Sequence, residues 1–501
     1  MTLDEKILEN LTTKNLKRIY DEYADKKRDY LCIPNKDKRI MGEDGISIRV
    51  YDKIFYYENN FTPIMKRIKS RKYLFKPFRE IEISKDKSLT VSEAKKKDKI
   101  RILSIANVKD TVVQQLIYDS IKNYTEEKFQ KVDQISFAYR EGKSAPSAVR
   151  KIEKYIEKGY MYILNIDLSK FFDTIDHKIL IDDLYSFFCK ENKILLSILK
   201  NFIYSYRITP ENLNKARYKG KKMIPKYKLF HNVKVKREKR EKGIPQGGIL
   251  SGLLANIYLY DFDLWMIKTL NEKYDLKYIR YADDFLVLLK NSKNIETIFN
   301  EIKEKLLSKN LIVHPLGEKS QIINLNKKMV NYVGFEIQKN KTRVKKENIE
   351  AFKTKIKKIF SEIKKSKEYK EKKVADVQNR LITKINFKIL GNRAYYEICE
   401  KCGKMVDYRS WIGYFGNITD VNQLKVLDNW IYNYLKYFMY KNFKIRIKKR
   451  EIYFKKNVNY EENNYKLRSL EWEYYYYRRS LQRKVEFCKC TPKEKYDYEQ
   501  Y

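Results

Sequence analysis

Tyr281-Ala282-Asp283-Asp284 lies between two apolar runs, Leu276-Lys277-Tyr278-Ile279 before it and Phe285-Leu286-Val287-Leu288-Leu289 after it. Two short β-prone runs separated by a few polar residues predict a β-hairpin with the acids at its tip. Apolar strands hold such a hairpin in a core, and the tip presents its charge to solvent or to a metal. Adjacent carboxylates raise each other's pKa unless a cation lies between them. A divalent ion is the natural partner, because hard cations take carboxylate oxygens. The same four residues would also make an ordinary Asp-Asp turn, so alone they do not decide the chemistry.

A second acid tips the balance. Met161-Tyr162-Ile163-Leu164-Asn165-Ile166-Asp167 reads as a strand ending in a carboxylate, and residues 168–177 read as a turn entering a helix. If this strand lies beside the hairpin, Asp167, Asp283 and Asp284 converge. Three carboxylates at adjoining strand ends can bind two divalent ions about 4 Å apart, one activating an attacking oxygen and one stabilising a leaving oxygen in phosphoryl transfer.

At this point the chain resembles a family. Asp167 with Phe172, then Gly243-Ile244-Pro245-Gln246-Gly247-Gly248, then the Tyr-Ala-Asp-Asp turn, is similar to the palm of a reverse transcriptase. Order and spacing are closest to the group II intron and retron branch. Lys97-Asp98-Lys99-Ile100-Arg101 through Gln114 resembles the fingers of that branch, and Phe137-Ala138-Tyr139-Arg140-Glu141-Gly142-Lys143-Ser144 its next block. Gly317-Glu318-Lys319-Ser320 and Tyr332-Val333-Gly334-Phe335 resemble the last two palm motifs. Trp411-Ile412-Gly413-Tyr414-Phe415 and Leu427-Asp428-Asn429-Trp430-Ile431 resemble the helical thumb of intron-type enzymes. Many motifs in one order over roughly residues 70 to 445 are far more specific than any one of them.

The resemblance implies an α+β right-hand polymerase with fingers, palm and a helical thumb. It implies two Mg²⁺ ions, with Mn²⁺ a possible substitute, on Asp167, Asp283 and Asp284 as catalytic carboxylates. Lys99 and Arg101 would grip the triphosphate, Phe172 would exclude a 2′-hydroxyl, and Gln246 and Gly247 would sit against the nascent base pair. Lys319 would serve the departing pyrophosphate. Partners would be a structured RNA template, dNTPs and a DNA product. Two positions depart from the family pattern. Gly248 stands where Ser is usual after Pro-Gln-Gly, and Gly252 where Pro is usual after Leu-Ser. No HNH-type nuclease follows the thumb motifs, and residues 446–501 are too few for an RNase H domain. The expected type is therefore a domesticated, defence-associated (abortive-infection-like) bacterial enzyme with a non-coding RNA. The alternatives are an intron maturase and an untemplated, homopolymer-making nucleotidyltransferase.

Composition agrees with a nucleic-acid partner. The 501 residues carry 108 Lys+Arg against 65 Asp+Glu, a net charge of +43, while 43% hydrophobic content supports a real core. Such an excess suits a polyanion and a salt-sensitive complex. Abundant Lys, Ile, Asn and Tyr together also fit an AT-rich genome, so the sign of the charge is more telling than its size. Residues 213–242 hold thirteen Lys/Arg and two Glu. Their place before Pro-Gln-Gly makes Lys234, Lys236, Arg237, Lys239 and Arg240 the expected phosphate contacts.

The expected divisions are an N-terminal extension over 1–70, fingers over 71–160, palm over 161–340, thumb over 345–445 and a Tyr-rich basic tail over 446–501. No apolar run approaches the ~20 residues that span a bilayer, so no membrane partner is expected, and the N-terminus lacks a signal-peptide core. Six cysteines in so long a chain do not read as a disulfide framework, so a reducing, cytoplasmic location is expected. Cys399, Cys402, Cys488 and Cys490 either bind one zinc together or remain free thiols, and their separation favours thiols. Tyr474, Tyr475, Tyr476, Tyr477 and Tyr501 in the tail are candidate protein primers, since a polymerase needs a hydroxyl to extend. Oligomeric state is not legible.

Overall fold

The computed structural model describes residues 1–28, 42, 46, 48–86, 89–217, 235–391, 402–405, 410–453 and 466–483. They fall into two compact units, Met1–Ser144 with Tyr162–Ile322, and Ala145–Met161 with Ile323–Tyr501. The expected divisions at 160 and 340 follow a different line. Residues 145–161 group with the later part of the chain, and the first unit ends at Ile322.

Strands β1 (Phe78–Ser84), β2 (Ile100–Ile105), β3 (Tyr162–Ile166), β4 (Tyr206–Ile208), β5 (Glu238–Lys239), β6 (Lys277–Tyr281) and β7 (Asp284–Leu289) belong to the first unit. One sheet runs β2-β1-β4-β5, and β1 pairs antiparallel with β2 from Arg79↔Ile105 to Ser84↔Ile100. The other runs β6-β7-β3, with β8 (Gln321–Asn324) on its far edge, where the first unit ends. Phe285, Leu286, Val287 and Leu288 are fully buried, as are Ile163 and Leu164. A sheet covered on both faces selects this continuous apolar run instead of alternation.

The N-terminal helices Leu3–Asn10 and Thr13–Arg28 pack on the helix Val108–Phe129. The first is also pinned from its own beginning. Asp4 accepts from the backbone N–H of Ile194 and Leu195 at 2.8 and 2.9 Å, capping the helix Lys193–Ile203, while Asn192 accepts from Leu3 N–H at 2.9 Å. A carboxylate there satisfies two orphan donors and meets the positive end of the helix. The extension thus braces the first unit.

In the second unit β9 (Val330–Tyr332), β10 (Phe335–Gln338) and β11 (Lys341–Val344) form an antiparallel meander in the order β11-β10-β9. The helices Lys346–Ile363, Val374–Leu390 and Asn422–Phe443 carry the long helical periodicity of the sequence. The helix Leu470–Gln482 docks through Asp428, whose carboxylate accepts from Ser469 Oγ and from the N–H of Leu470 and Glu471 at 2.6, 2.8 and 3.1 Å. Among the described residues no helix is long and apolar enough to cross a membrane.

Candidate active site

The hairpin closes with Tyr281 paired to Asp284, which leaves Ala282 and Asp283 as a two-residue turn. Ala282 has φ +60°. Two-residue hairpin loops favour positive φ at the first turn position, usually with glycine there. A non-glycine residue held in that region costs on the order of 1 kcal/mol and persists only where its surroundings fix it. Arg280 supplies the fixing. Its guanidinium is 1% exposed and donates to Asp263 at 2.5 and 2.9 Å, to Asn256 at 3.0 Å, to Ser136 at 2.9 Å and to the Ala282 carbonyl at 3.1 Å. Tyr278 completes the network by donating to Asp263 at 3.0 Å.

Strand β3 pairs antiparallel with β7 as far as Ile166↔Phe285. The next residue, Asp167, therefore emerges at the hairpin tip. Burial pushes the Asp283 carboxyl up, and neighbouring Asp167 pushes it further, while Arg101 and Lys85 pull it back. Asp284 opens β7 with its side chain exposed. Among the described residues no three His, Cys, Asp or Glu are grouped to hold a metal. The register sets Asp167 opposite Asp284, and charge couples Asp167 to the neighbouring Asp283. That pair still fits magnesium, which keeps several waters and takes one or two carboxylates plus substrate phosphates in place of a full protein cage.

Asp167 has two further neighbours. His314 Nε2 lies 3.4 Å from its Oδ1, and Lys319 Nζ lies 3.3 Å from the same His314 nitrogen. Asp167 N–H donates to Ser320 Oγ at 3.3 Å. Lys319 therefore stands one side chain away from the Asp167 carboxylate.

Phe172 is 8% exposed, and its ring meets Phe171 and Tyr139 edge-on at 5.4 and 6.4 Å, with Phe171 sealed in the core. Tyr139 has φ +57° and is half-exposed. Burial raises its phenol, as does the charge of Asp283, while Arg101 opposes them. This places Tyr139, Arg101 and Asp283 around one space. The Pro-Gln-Gly loop forms another wall. Ile244 N–H donates to the Phe172 carbonyl at 2.9 Å, Gly243 N–H to that of Ile175 at 2.8 Å, and Ser104 N–H to that of Gln246 at 2.7 Å. Gly243 has φ +76°, and a Cβ there would meet the Asp173 backbone at 2.7 Å, so only glycine permits the approach. Gly247 has φ +111° and is exposed.

Both departures from the family pattern acquire a local cause. A Cβ on Gly252 would lie 2.4 Å from the Tyr139 ring, and one on Gly248 would lie 2.7 Å from Phe202. The ring of Tyr139 occupies the space that a side chain at 252 would fill.

The basic segment divides. Lys234 lies outside the described residues. Lys236, Arg237 and Lys239 are exposed. Arg240 corrects the expectation. It is 3% exposed and bonded to Glu80 at 3.0 Å, so its charge serves a buried ion pair and not a phosphate on the surface. Lys99 reaches Asp86 at 3.4 Å on the surface. Lys85, exposed at the end of β1, acts on Asp283 and Asp173 and was not singled out in the sequence. Tyr139, His314 and Arg280 also escaped. Tyr139 lay inside a recognised block, and His314 is one of three histidines, but neither offers a spacing signal.

Among the tail tyrosines, Tyr474 is corrected as a primer. It is 5% exposed, its hydroxyl donates to the Ile418 carbonyl at 2.6 Å, and burial raises its pKa. Tyr475 is 47% exposed, Tyr476 stacks on Trp472 at 5.3 Å, and Tyr477 lies against Gly416, where a Cβ would come within 2.3 Å. Tyr501 lies outside the described residues, as do Cys399, Cys488 and Cys490. Cys402 is exposed.

Residues 93–337 match the family model described as reverse transcriptase (RNA-dependent DNA polymerase). That stretch, just under half of the chain, is similar to reverse transcriptase domains. Arg101, Tyr139, Asp167, Phe172, Gln246, Asp283, His314 and Lys319 all fall inside it. The chain is similar to the group II intron-encoded protein LtrA of Lactococcus lactis subsp. cremoris, 24% identical over 56% of this chain and 50% of that one. It is also similar to an uncharacterised 91 kDa protein in the cob intron of Schizosaccharomyces pombe, 30% identical over 47% of this chain and 23% of that one. The chain thus spans half or less of the length of these relatives. A telomerase structure from Candida albicans superposes with TM-score 0.37 at 14% identity, over 79% of this chain and 67% of that one, too loosely to bear on function.

Proposed function

We propose that this chain is an RNA-directed DNA polymerase that adds dNTPs to a hydroxyl on an RNA template. The observation that carries the reading is the Asp167–Asp283 pair at adjoining strand ends, facing the space that Arg101, Phe172 and Tyr139 also border. Mg²⁺ held by these carboxylates would, when bound, help deprotonate the attacking hydroxyl and neutralise charge on the phosphate. The rest falls to the chain's own groups. Arg101 offers a guanidinium fork for triphosphate oxygens, with Lys85 and Lys99 as further cations. Phe172 lies under the incoming sugar, where its bulk excludes a 2′-hydroxyl. Gln246 and Gly247 bound the nascent pair, and Lys319 donates a proton to, or steadies, pyrophosphate, a role worth ~10²–10⁴-fold in rate. Asp284 is an electrostatic partner of this site. The exposed Lys236, Arg237 and Lys239 hold RNA phosphates.

The test is primer extension on a defined RNA template. Asp167→Ala or Asp283→Ala abolishes dNTP incorporation and leaves RNA affinity largely intact. Wild-type incorporation by either variant overturns the assignment, and incorporation that ignores the template sequence favours the untemplated transferase. The biological setting we propose is bacterial antiviral defence with a non-coding RNA. Phage plating on cells carrying wild-type or Asp283→Ala protein tests it.

A further inference from the structure

The helix Asn422–Phe443 of the second unit has two contrasting faces. Leu424, Leu427, Ile431, Leu435, Phe438 and Met439 are buried. Val426, Trp430, Tyr437 and Tyr440 fall on the opposite side, since at 3.6 residues per turn they stay within about 40° of one line. Val426 is 58% exposed, Tyr437 60% and Tyr440 47%. The line runs about 21 Å along the helix at 1.5 Å per residue. Single exposed apolar residues need no explanation, whereas an ordered row does.

Each ring in the row has an ammonium near it. Lys353 and Lys357, from the helix Lys346–Ile363, lie 5.7 and 5.9 Å from the Trp430 ring centre. Lys441 lies 5.6 Å from Tyr437, and Lys444 lies 5.7 Å from Tyr440. Lys353 also reaches Glu350 at 2.8 Å. Trp430 is itself fixed by stacking on Tyr434 at 5.4 Å, which meets Phe360 edge-on at 4.8 Å. Asp428, the one acid in the helix sequence, is turned inward to cap the helix Leu470–Gln482. The outward face therefore combines π-faces and positive charge with no carboxylate of its own.

That combination is chemically specific. Unpaired bases stack on aromatic rings without regard to sequence, and adjacent cations follow the backbone. A duplex hides its base faces and offers only phosphates and groove edges. We propose that this ridge binds an unpaired RNA strand, with bases stacked on Trp430, Tyr437 and Tyr440 and phosphates held by Lys353, Lys357, Lys441 and Lys444. The inference rests on the reading of the chain as an RNA-using enzyme and adds a second place where that RNA is held.

The full-length chain is titrated into a fluorescent oligouridylate of roughly twelve nucleotides, and separately into a blunt RNA duplex of equal length, without dNTP. The double variant Tyr437→Ala/Tyr440→Ala should bind the single strand about tenfold or more weakly and the duplex as wild type does. The Tyr437→Phe/Tyr440→Phe pair keeps both rings and should bind like wild type. Lys441→Gln/Lys444→Gln should lower single-strand affinity and flatten its salt dependence. Unchanged single-strand affinity in the alanine pair, or equal loss for strand and duplex, overturns the proposal. Wild-type primer extension, assayed separately, reports on the polymerase reading, so the two can fail independently.

Discussion

Arg280 is the residue through which packing and chemistry meet, and replacing it with methionine separates the two. Asp263 has no exposed surface, and its carboxylate faces the Arg280 guanidinium at 2.5 Å. An exposed ion pair contributes at most about 1 kcal/mol. Removing one member of a buried pair strands the other, at about 3–5 kcal/mol. Asn256, Ser136 and the Ala282 carbonyl lose partners as well. Arg280→Met should therefore move the urea midpoint of the first unit down by several kcal/mol in equivalent stability. Arg280→Met combined with Asp263→Leu removes both charges and should recover at least half of that loss, because no buried charge is left unpaired. The double variant still lacks the tether on Ala282, so its dNTP incorporation should remain well below wild type while its fold returns. Urea unfolding followed by circular dichroism, with primer extension beside it, measures both. An unshifted midpoint in Arg280→Met would show that the network supports nothing. A double variant no more stable than the single one would show that the stranded carboxylate is not the cause.

Phe172→Ala should raise rNTP incorporation relative to dNTP in single-nucleotide kinetics, since its ring is the proposed barrier to the 2′-hydroxyl, and an unchanged ratio makes it a core residue only. Neutralising Lys236, Arg237 and Lys239 together should reduce the slope of log affinity for RNA against log salt by roughly 0.7 per lost contact. Adding Arg240→Gln should cost stability and leave that slope where it was, because this guanidinium is occupied by Glu80. Asp283→Asn should stabilise the metal-free protein at neutral pH. The folded state holds this carboxyl above its ordinary range, so its ionisation opposes folding above the unfolded pKa of about 3.9. The gain should vanish as pH falls below that value, and unfolding midpoints at pH 3.5 and 7 check it.

Order of motifs and strand periodicity were legible in the chain itself. The runs on either side of Ala282-Asp283 are apolar enough to be strands under any packing, and Asp167 follows a third such run. The hairpin, its neighbouring strand, and the helices after residue 345 therefore follow from local pattern. Glycine at 248 and 252 read only as departure from pattern, because the reason for each lies in Phe202 and Tyr139, distant in sequence. Lys236 and Arg240 are equivalent letters in one basic run, yet one faces water and the other is sealed against Glu80. Composition reports charge, whereas burial decides whether that charge is available, and burial depends on β1 and β5 entering the same sheet. The same holds for the tail, where Tyr474 and Tyr475 are neighbours in sequence but the helix turns one toward Ile418 and the other outward. Local sequence thus set which elements form and where the carboxylates sit along them. Only the tertiary structure decided which carboxylates meet, which cations remain exposed and which rings line the space beside Asp283, because those are relations between segments far apart in the chain.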